Sequence, residues 1–237
     1  MMSRKNKYIL SIILFMTVLV IDQIIKVNVK TGMYLGERIE IASWFSLVFV
    51  ENNGMAFGWE LWGGKLLLTL FRLIAVGFIG WFIYSEINKR RPTGYIVCLT
   101  LIAAGAAGNI IDCLFYGLIF NNPPYPQVAE LQPWGAGYGE FLYGRVVDMF
   151  YFPLIEWDMP TWMPFYPGEH CIFFSPIFNF ADAAISCGII ALLLFYRKII
   201  NQYQLKSVGA KTATQKEDSG NDGGQSKEAE NVSSERS

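Results

Sequence analysis

Four apolar runs of membrane length constrain this chain more than any other feature. They cover Tyr8 to about Val29, Leu66 to Tyr84 (broken only by Arg72), Thr93 to about Ile119 (uncharged until Asp112) and Ile177 to Tyr196, whose one charged side chain is Asp182. In lipid the backbone polar groups must be satisfied within the protein, so only helices and closed barrels span. A barrel needs many alternating segments of about ten residues, and these runs do not alternate. The expected architecture is an all-α membrane bundle of four transmembrane helices, about 8–29, 66–84, 93–119 and 177–196. At 53% hydrophobic residues the composition agrees with this reading. "SRKNK" ahead of the first run could be the basic start of a cleaved signal peptide. No small-residue cleavage site follows "VLVI", however, and the apolar character resumes after Asp22, so a retained helix is expected.

Lysine and arginine set the expected orientation. Arg4, Lys5, Lys7, Lys89, Arg90, Arg91, Arg197, Lys198 and Lys206 fall on one side, whereas loops 31–64 and 120–176 on the other hold Arg38 and Arg145. Both termini are therefore expected in the cytoplasm and both long loops outside, with residues 1–206 forming the folded domain. Residues 207–237 lack aromatic side chains and read as a disordered cytoplasmic tail. "RIEIASWFSLVFVENNG", from Arg38, is rich in Ile, Val and Phe and partly alternates, as a half-buried strand does. The second loop is rich in Pro, Gly and aromatic residues. Together the loops predict a small β-containing extracytoplasmic cap. Cys98, Cys113 and Cys187 lie in apolar runs and Cys171 in a loop without an obvious partner, so no disulfide framework is expected.

With that topology, four carboxylates from separate segments reach one depth of one membrane face. Asp22 and Lys26 lie four apart near the outer end of the first helix, in the order that favours an ion pair. Asn109 and Asp112 share a face of the third, beside Gly105 and Gly108, which permit close helix approach. Asn179 and Asp182 begin the fourth, and Asp148 sits in the outer loop between apolar residues. The lone histidine, His170, rules against a histidine-rich zinc site, and the chain has no nucleophile elbow, phosphate loop, dinucleotide fingerprint or basic stripe for nucleic acid. No metal or cofactor is expected. Carboxylates with amides beside them remain. Two close carboxylates cannot both ionise cheaply, and such a pair can deprotonate water while protonating a leaving amine. The alternative use of such groups is a proton or ion relay in a small membrane transporter, although those sites lie nearer the midplane on repeated, broken helices.

The pieces "DQIIK", "NNGMAFG", "GNIID", "VVDMF" and "FNFADAAI", in this order, resemble the lipoprotein signal peptidase (signal peptidase II) family over roughly residues 8 to 200. The resemblance implies a multi-pass aspartyl endopeptidase of the bacterial cytoplasmic (inner) membrane, with its active site on the extracytoplasmic side. Its implied substrate is a prolipoprotein, cut just before the diacylglyceryl-modified cysteine. Membrane lipid is the surrounding partner, nucleic acid is not one, and a monomer is expected. By the family pattern the dyad is Asp148 and Asp182, while Asn52, Gly54, Asn109, Asp112 and Asn179 line or support the site, and Asp22 and Lys26 match the first-helix motif. For Asp112 a supporting role is favoured over catalysis. Two features depart from the pattern. Cys113 stands where an arginine is usual, and Arg145, three residues before Asp148, is a candidate replacement unless it is merely a solvated loop charge. The stretches from Asp112 to Asp148 and from Asp148 to Asp182 are also longer than the usual loops.

Overall fold

The computed structural model describes residues 2–53, 64–153, 155–162, 168, 170–173 and 176–201. Residues 1–190 form one compact unit and residues 191–237 a second, of which the described part is the end of one helix and a helical turn at 197–201. Gly54 and the segment 207–237 lie outside the described residues.

Helix α1 (Arg4–Gly32) runs for 29 residues behind Ser3, whose hydroxyl accepts the Asn6 N–H at 3.2 Å and so caps one of the free amides of the first turn. After it come strands β1 (Arg38–Ala42) and β2 (Phe45–Asn52), then helices α2 (Gly64–Asn88) and α3 (Thr93–Ile111). A π-turn at Asp112–Tyr116 and the short α4 (Gly117–Ile119) continue α3 without a break. Next are β3 (Val146–Tyr151), β4 (Ile155–Asp158), β5 (His170–Phe173), β6 (Ile177–Phe178) and helix α5 (Phe180–Phe195).

Three helices among the described residues are long and apolar enough to cross a membrane: Arg4–Gly32, Gly64–Asn88 and the α3–π–α4 unit Thr93–Ile119. Side chains such as Ile12, Ile13, Phe71, Ile74 and Trp81 are exposed on α1 and α2, as lipid-facing surfaces require. The α3 unit is the interior element, with 61% of its apolar window buried against 11% for α1 and 6% for α2. The fourth run differs from its expected bounds of 177–196. Ile177 and Phe178 pair with Tyr151 and Phe150 as strand β6, and only then does the chain turn into α5, a shorter apolar helix of 16 residues.

The segments between the apolar helices, expected as a small β-containing cap, hold two antiparallel sheets. β1, β2, β3 and β6 form an antiparallel four-stranded sheet in that order, and β4 pairs with β5 in a second, two-stranded sheet. Residues 170 and 171, expected in irregular loop, are strand residues of β5. Val29, Met33, Phe49, Tyr116, Phe120, Val147 and Met149 form one buried cluster that seats the sheet on the ends of α1 and the π-turn. Below it, Val18, Ala104 and Ala184 join α1, α3 and α5. Glycines set the α3–α5 approach: a Cβ at Gly105 would collide with the Ala181 carbonyl oxygen, and one at Gly188 would lie 2.8 Å from that of Cys98.

Candidate active site

Charge buried inside an apolar bundle must find partners, because desolvation of an unpaired ion is prohibitive. Asp22, Lys26 and Asp112 are all fully buried, and they answer that demand for one another. The Lys26 ammonium has three N–H donors and three acceptors: Asp22 Oδ2 at 3.0 Å, Asp112 Oδ2 at 2.7 Å and Asn109 Oδ1 at 2.7 Å. Gln23, one residue after Asp22, adds its amide N–H groups to Asp112 Oδ1 at 2.9 Å and to the Gly108 carbonyl at 3.2 Å. The Tyr116 hydroxyl donates to Gln23 Oε1 at 3.2 Å. Helix geometry places Asp22 and Lys26 on one face. The wider turn at Asp112–Tyr116 carries both of its polar side chains into the same cluster, a usual place for a π-segment in functional proteins.

Both aspartates also reach the backbone, Asp22 through its other oxygen and Asp112 through the oxygen that Lys26 shares. Asp22 Oδ1 accepts the Ala181 N–H at 2.9 Å, and Asp112 Oδ2 accepts the Val147 N–H at 3.3 Å. Ala181 directly precedes Asp182 and Val147 directly precedes Asp148. The ion cluster therefore grips the chain one residue ahead of each member of the expected dyad.

Asp148 and Asp182 meet around asparagines. Asn179 Nδ2 donates to Asp148 Oδ1 at 2.6 Å, and the Asn179 backbone N–H points to Asp182 Oδ2 at 3.4 Å. The Asp182 N–H returns a bond to Asn179 Oδ1 at 2.9 Å. Asn109 Nδ2 donates to Asp182 Oδ1 at 2.8 Å, and Asn52 Nδ2 to Asp148 Oδ2 at 3.3 Å. Asn179 is fully buried, Asp182 and Asn109 are half-buried and Asn52 is exposed. Burial, and then the neighbouring Asp182 charge, pushes the Asp148 carboxyl from its ordinary 3.8 up to about 7, against the pull of the Asn179 and Asn52 amides and of the Lys26 charge. A carboxyl that holds its proton near neutrality beside a second carboxylate can act as acid while its partner acts as base.

Of the residues singled out by sequence, the structure joins Asp22, Lys26, Asn52, Asn109, Asp112, Asp148, Asn179 and Asp182 in one hydrogen-bonded network. Arg145 is placed elsewhere. Its guanidinium donates to Glu51 at 2.9 Å and to Asn122 at 3.4 Å, and lies over the Tyr138 ring at 4.9 Å. The cation beside Cys113 is Arg72, from α2, with Nη1 at 3.7 Å from Sγ. Three participants carried no expectation. Gln23 lay within the quoted "DQIIK" and only its position between two acidic partners reveals its use. Lys30 and Glu51, paired with each other under the aromatic rings of Phe49, Phe120 and Tyr138, come from segments that no local pattern connects.

Residues 14–198 match the family model for signal peptidase (SPase) II. Lipoprotein signal peptidase of Porphyromonas gingivalis is 51% identical over 189 residues, covering 79% of this chain and 83% of that protein. Lipoprotein signal peptidase of Amoebophilus asiaticus is 37% identical over 191 residues, covering 77% of this chain and 75% of its own. Among solved structures, a bacterial membrane enzyme superposes with a TM-score of 0.53 at 23% identity, over 80% of this chain and 88% of the other. A second structure of a bacterial membrane enzyme gives 0.51 at 24%, over 78% and 90%. These two show likeness of fold. With the family matched across most of its length, the chain belongs to the signal peptidase II family of bacterial membrane proteins and is an aspartic-type endopeptidase.

Proposed function

We propose that this enzyme removes signal peptides from lipid-modified bacterial prolipoproteins, cleaving before the diacylglyceryl cysteine with a water activated by Asp148 and Asp182. The observation that carries the reading is Asn179, whose side chain and backbone contact both aspartates and hold them at one place. One carboxyl, ionised, takes a proton from water as the oxygen attacks the scissile carbonyl. The other, protonated, donates to the carbonyl oxygen; after collapse the leaving amine is protonated and the pair returns to one shared proton. Positioned acid–base catalysis of this kind contributes roughly 10² to 10⁴ in rate. No acyl-enzyme forms, since no side chain attacks. Asn52 and Asn109 orient the carboxylates, and for Gly54 the family resemblance alone implies a supporting part.

The setting follows the charge asymmetry. Residues 1–206 form the peptidase domain in the inner membrane with four spans, α5 being the last, and both termini and the tail 207–237 are cytoplasmic. The sheet and the dyad face outward, where the lipidated cysteine of a membrane-anchored substrate can keep its acyl chains in the bilayer. A monomer contains every residue the chemistry uses.

The test is signal-peptide release from a diacylglyceryl-modified prolipoprotein by the purified protein, read as a gel shift. Asp148→Asn and Asp182→Asn each abolish the shift while the protein stays folded. Cleavage surviving either replacement removes the dyad from the mechanism.

A further inference from the structure

We infer that Lys26 is a positioning residue that fixes which way the Asn109 amide faces, so that Asn109 presents N–H rather than oxygen to Asp182. The inference rests on the dyad reading above and extends it to a residue that touches neither dyad carboxylate.

An asparagine amide can be turned over with little change in shape, exchanging donor for acceptor. At Asp182 only the donor is useful, because a carboxylate accepts. Lys26 removes the ambiguity, since an ammonium donates and never accepts. Its Nζ lies 2.7 Å from Asn109 Oδ1, which leaves Nδ2 to reach Asp182 Oδ1 at 2.8 Å. Asn179 reinforces the same sense by donating its Nδ2 to Asn109 Oδ1 at 3.0 Å. The Asn179 amide is itself turned by the Asp182 backbone N–H, which must meet its oxygen. Two amides beside the dyad therefore have their polarity dictated by groups that can only donate.

Lys26 is held still for this purpose. Asp22 on its own helix and Asp112 on the π-turn take its other two donors, and both carboxylates are in turn anchored to backbone N–H groups ahead of the dyad. Two carboxylates against one ammonium leave the cluster with an excess negative charge. Simple neutralisation of Asp22 would not need a third, neutral acceptor at 2.7 Å. The groups that could titrate around it are Asp22, Asp112 and Tyr116, with Asp148 and Asp182 beyond Asn109.

Steady-state cleavage of a diacylglyceryl-modified peptide by the purified full chain separates this role from a structural one. Lys26→Met should lower kcat roughly ten- to a hundredfold, the rate equivalent of losing one hydrogen bond to a charged group, with KM unchanged. The bell-shaped pH profile of kcat should move to higher pH, because a positive charge has left the neighbourhood of two carboxyls. The double variant Lys26→Met/Asp112→Asn keeps the net charge of the cluster and leaves an oxygen for the Val147 N–H. It should regain thermal stability and return the pH profile, yet keep the low kcat, because the Asn109 oxygen has lost its charged donor and keeps only the longer, neutral bond from Asn179. Recovery of wild-type kcat in the double variant would overturn the inference and reduce Lys26 to charge balance. So would a loss in Lys26→Met that only tracks the amount of folded protein with the pH profile unmoved. Failure of the dyad reading is a separate outcome, seen as cleavage that survives Asp148→Asn or Asp182→Asn.

Discussion

Asn179 and Asp182 cap the same helix reciprocally: the Asp182 N–H donates to Asn179 Oδ1 at 2.9 Å, and the Asn179 N–H points back to Asp182 Oδ2 at 3.4 Å. This is a capping box at the first turn of α5. One carboxylate thus serves the helix start through Oδ2 and the amide of Asn109 through Oδ1. The side chain proposed for the chemistry therefore also holds the helix start.

That double use separates two replacements of Asp182. Asp182→Asn keeps an oxygen for the Asn179 N–H and should melt close to the wild type while losing cleavage. Asp182→Ala loses both and should be less stable by about 1 kcal/mol, the usual value of a cap. Thermal unfolding in detergent beside the gel-shift assay reads the two effects apart. Equal melting of the two variants contradicts the capping role.

The raised carboxyl of Asp148 makes a stability prediction with a definite sign. Below the ordinary value of 3.8 both folded and unfolded chains hold the proton. Between there and about 7 the folded form holds more protons than the unfolded one, so this group's contribution to stability falls as pH rises through that window. The melting temperature of Asp148→Asn should therefore gain on that of the wild type as pH is raised from 4 towards 8. A constant difference across the range refutes the shift.

Gly108 tests how closely the bundle must approach the ion cluster. A Cβ there would lie 2.6 Å from Asp22 Oδ2, the oxygen that accepts from Lys26. Gly108→Ala should displace Asp22 and destabilise the protein by roughly 1 to 3 kcal/mol. Gly80→Ala, where the added methyl meets nothing within 4 Å, is the control and should leave the melting temperature unchanged or raised.

The outer pair ranks two further variants. Glu51 is held by Lys30, which is buried, and by Arg145, whose side chain is 32% exposed. Lys30→Met should cost roughly 3 kcal/mol, the low end for breaking a buried pair, because Arg145 still faces Glu51. Arg145→Ala should cost about 1 kcal/mol or less and retain cleavage, since its guanidinium is directed to Glu51 and Asn122. Abolished cleavage at normal stability in Arg145→Ala would give it a direct part in catalysis.

Much of this was legible in the sequence wherever the bilayer imposes a rule. Apolar length located α1, α2 and α3, and the expense of charge in lipid drew attention to Asp22, Lys26, Asp112 and Asp182. Three-residue spacing placed Asn109 with Asp112 and Asn179 with Asp182. What lay beyond reach was set by long-range pairing. The start of α5 moved from 177 to 180 because Ile177 and Phe178 bond to β3, a partner that no local pattern identifies. The strand at His170 was hidden for the same reason: its pairing with β4 is non-local, and the surrounding Pro, Gly and aromatic residues read as irregular. Arg145 looked like a neighbour of Asp148 in the chain, yet three residues along an extended segment carry the side chain to Glu51 instead.

The grip of Asp22 on the Ala181 N–H has a bearing on how the enzyme is made. The two residues are 159 positions apart, so the first helix waits for its partner until all of that intervening chain has been made. Until α5 has formed and docked, Asn179 and Asp182 are not beside Asp148 and the cluster on α1 has no anchor at that end. On the proposed dyad reading, a protease assembled in this order is inert while it is being synthesised, and becomes competent only when its last apolar helix is in place.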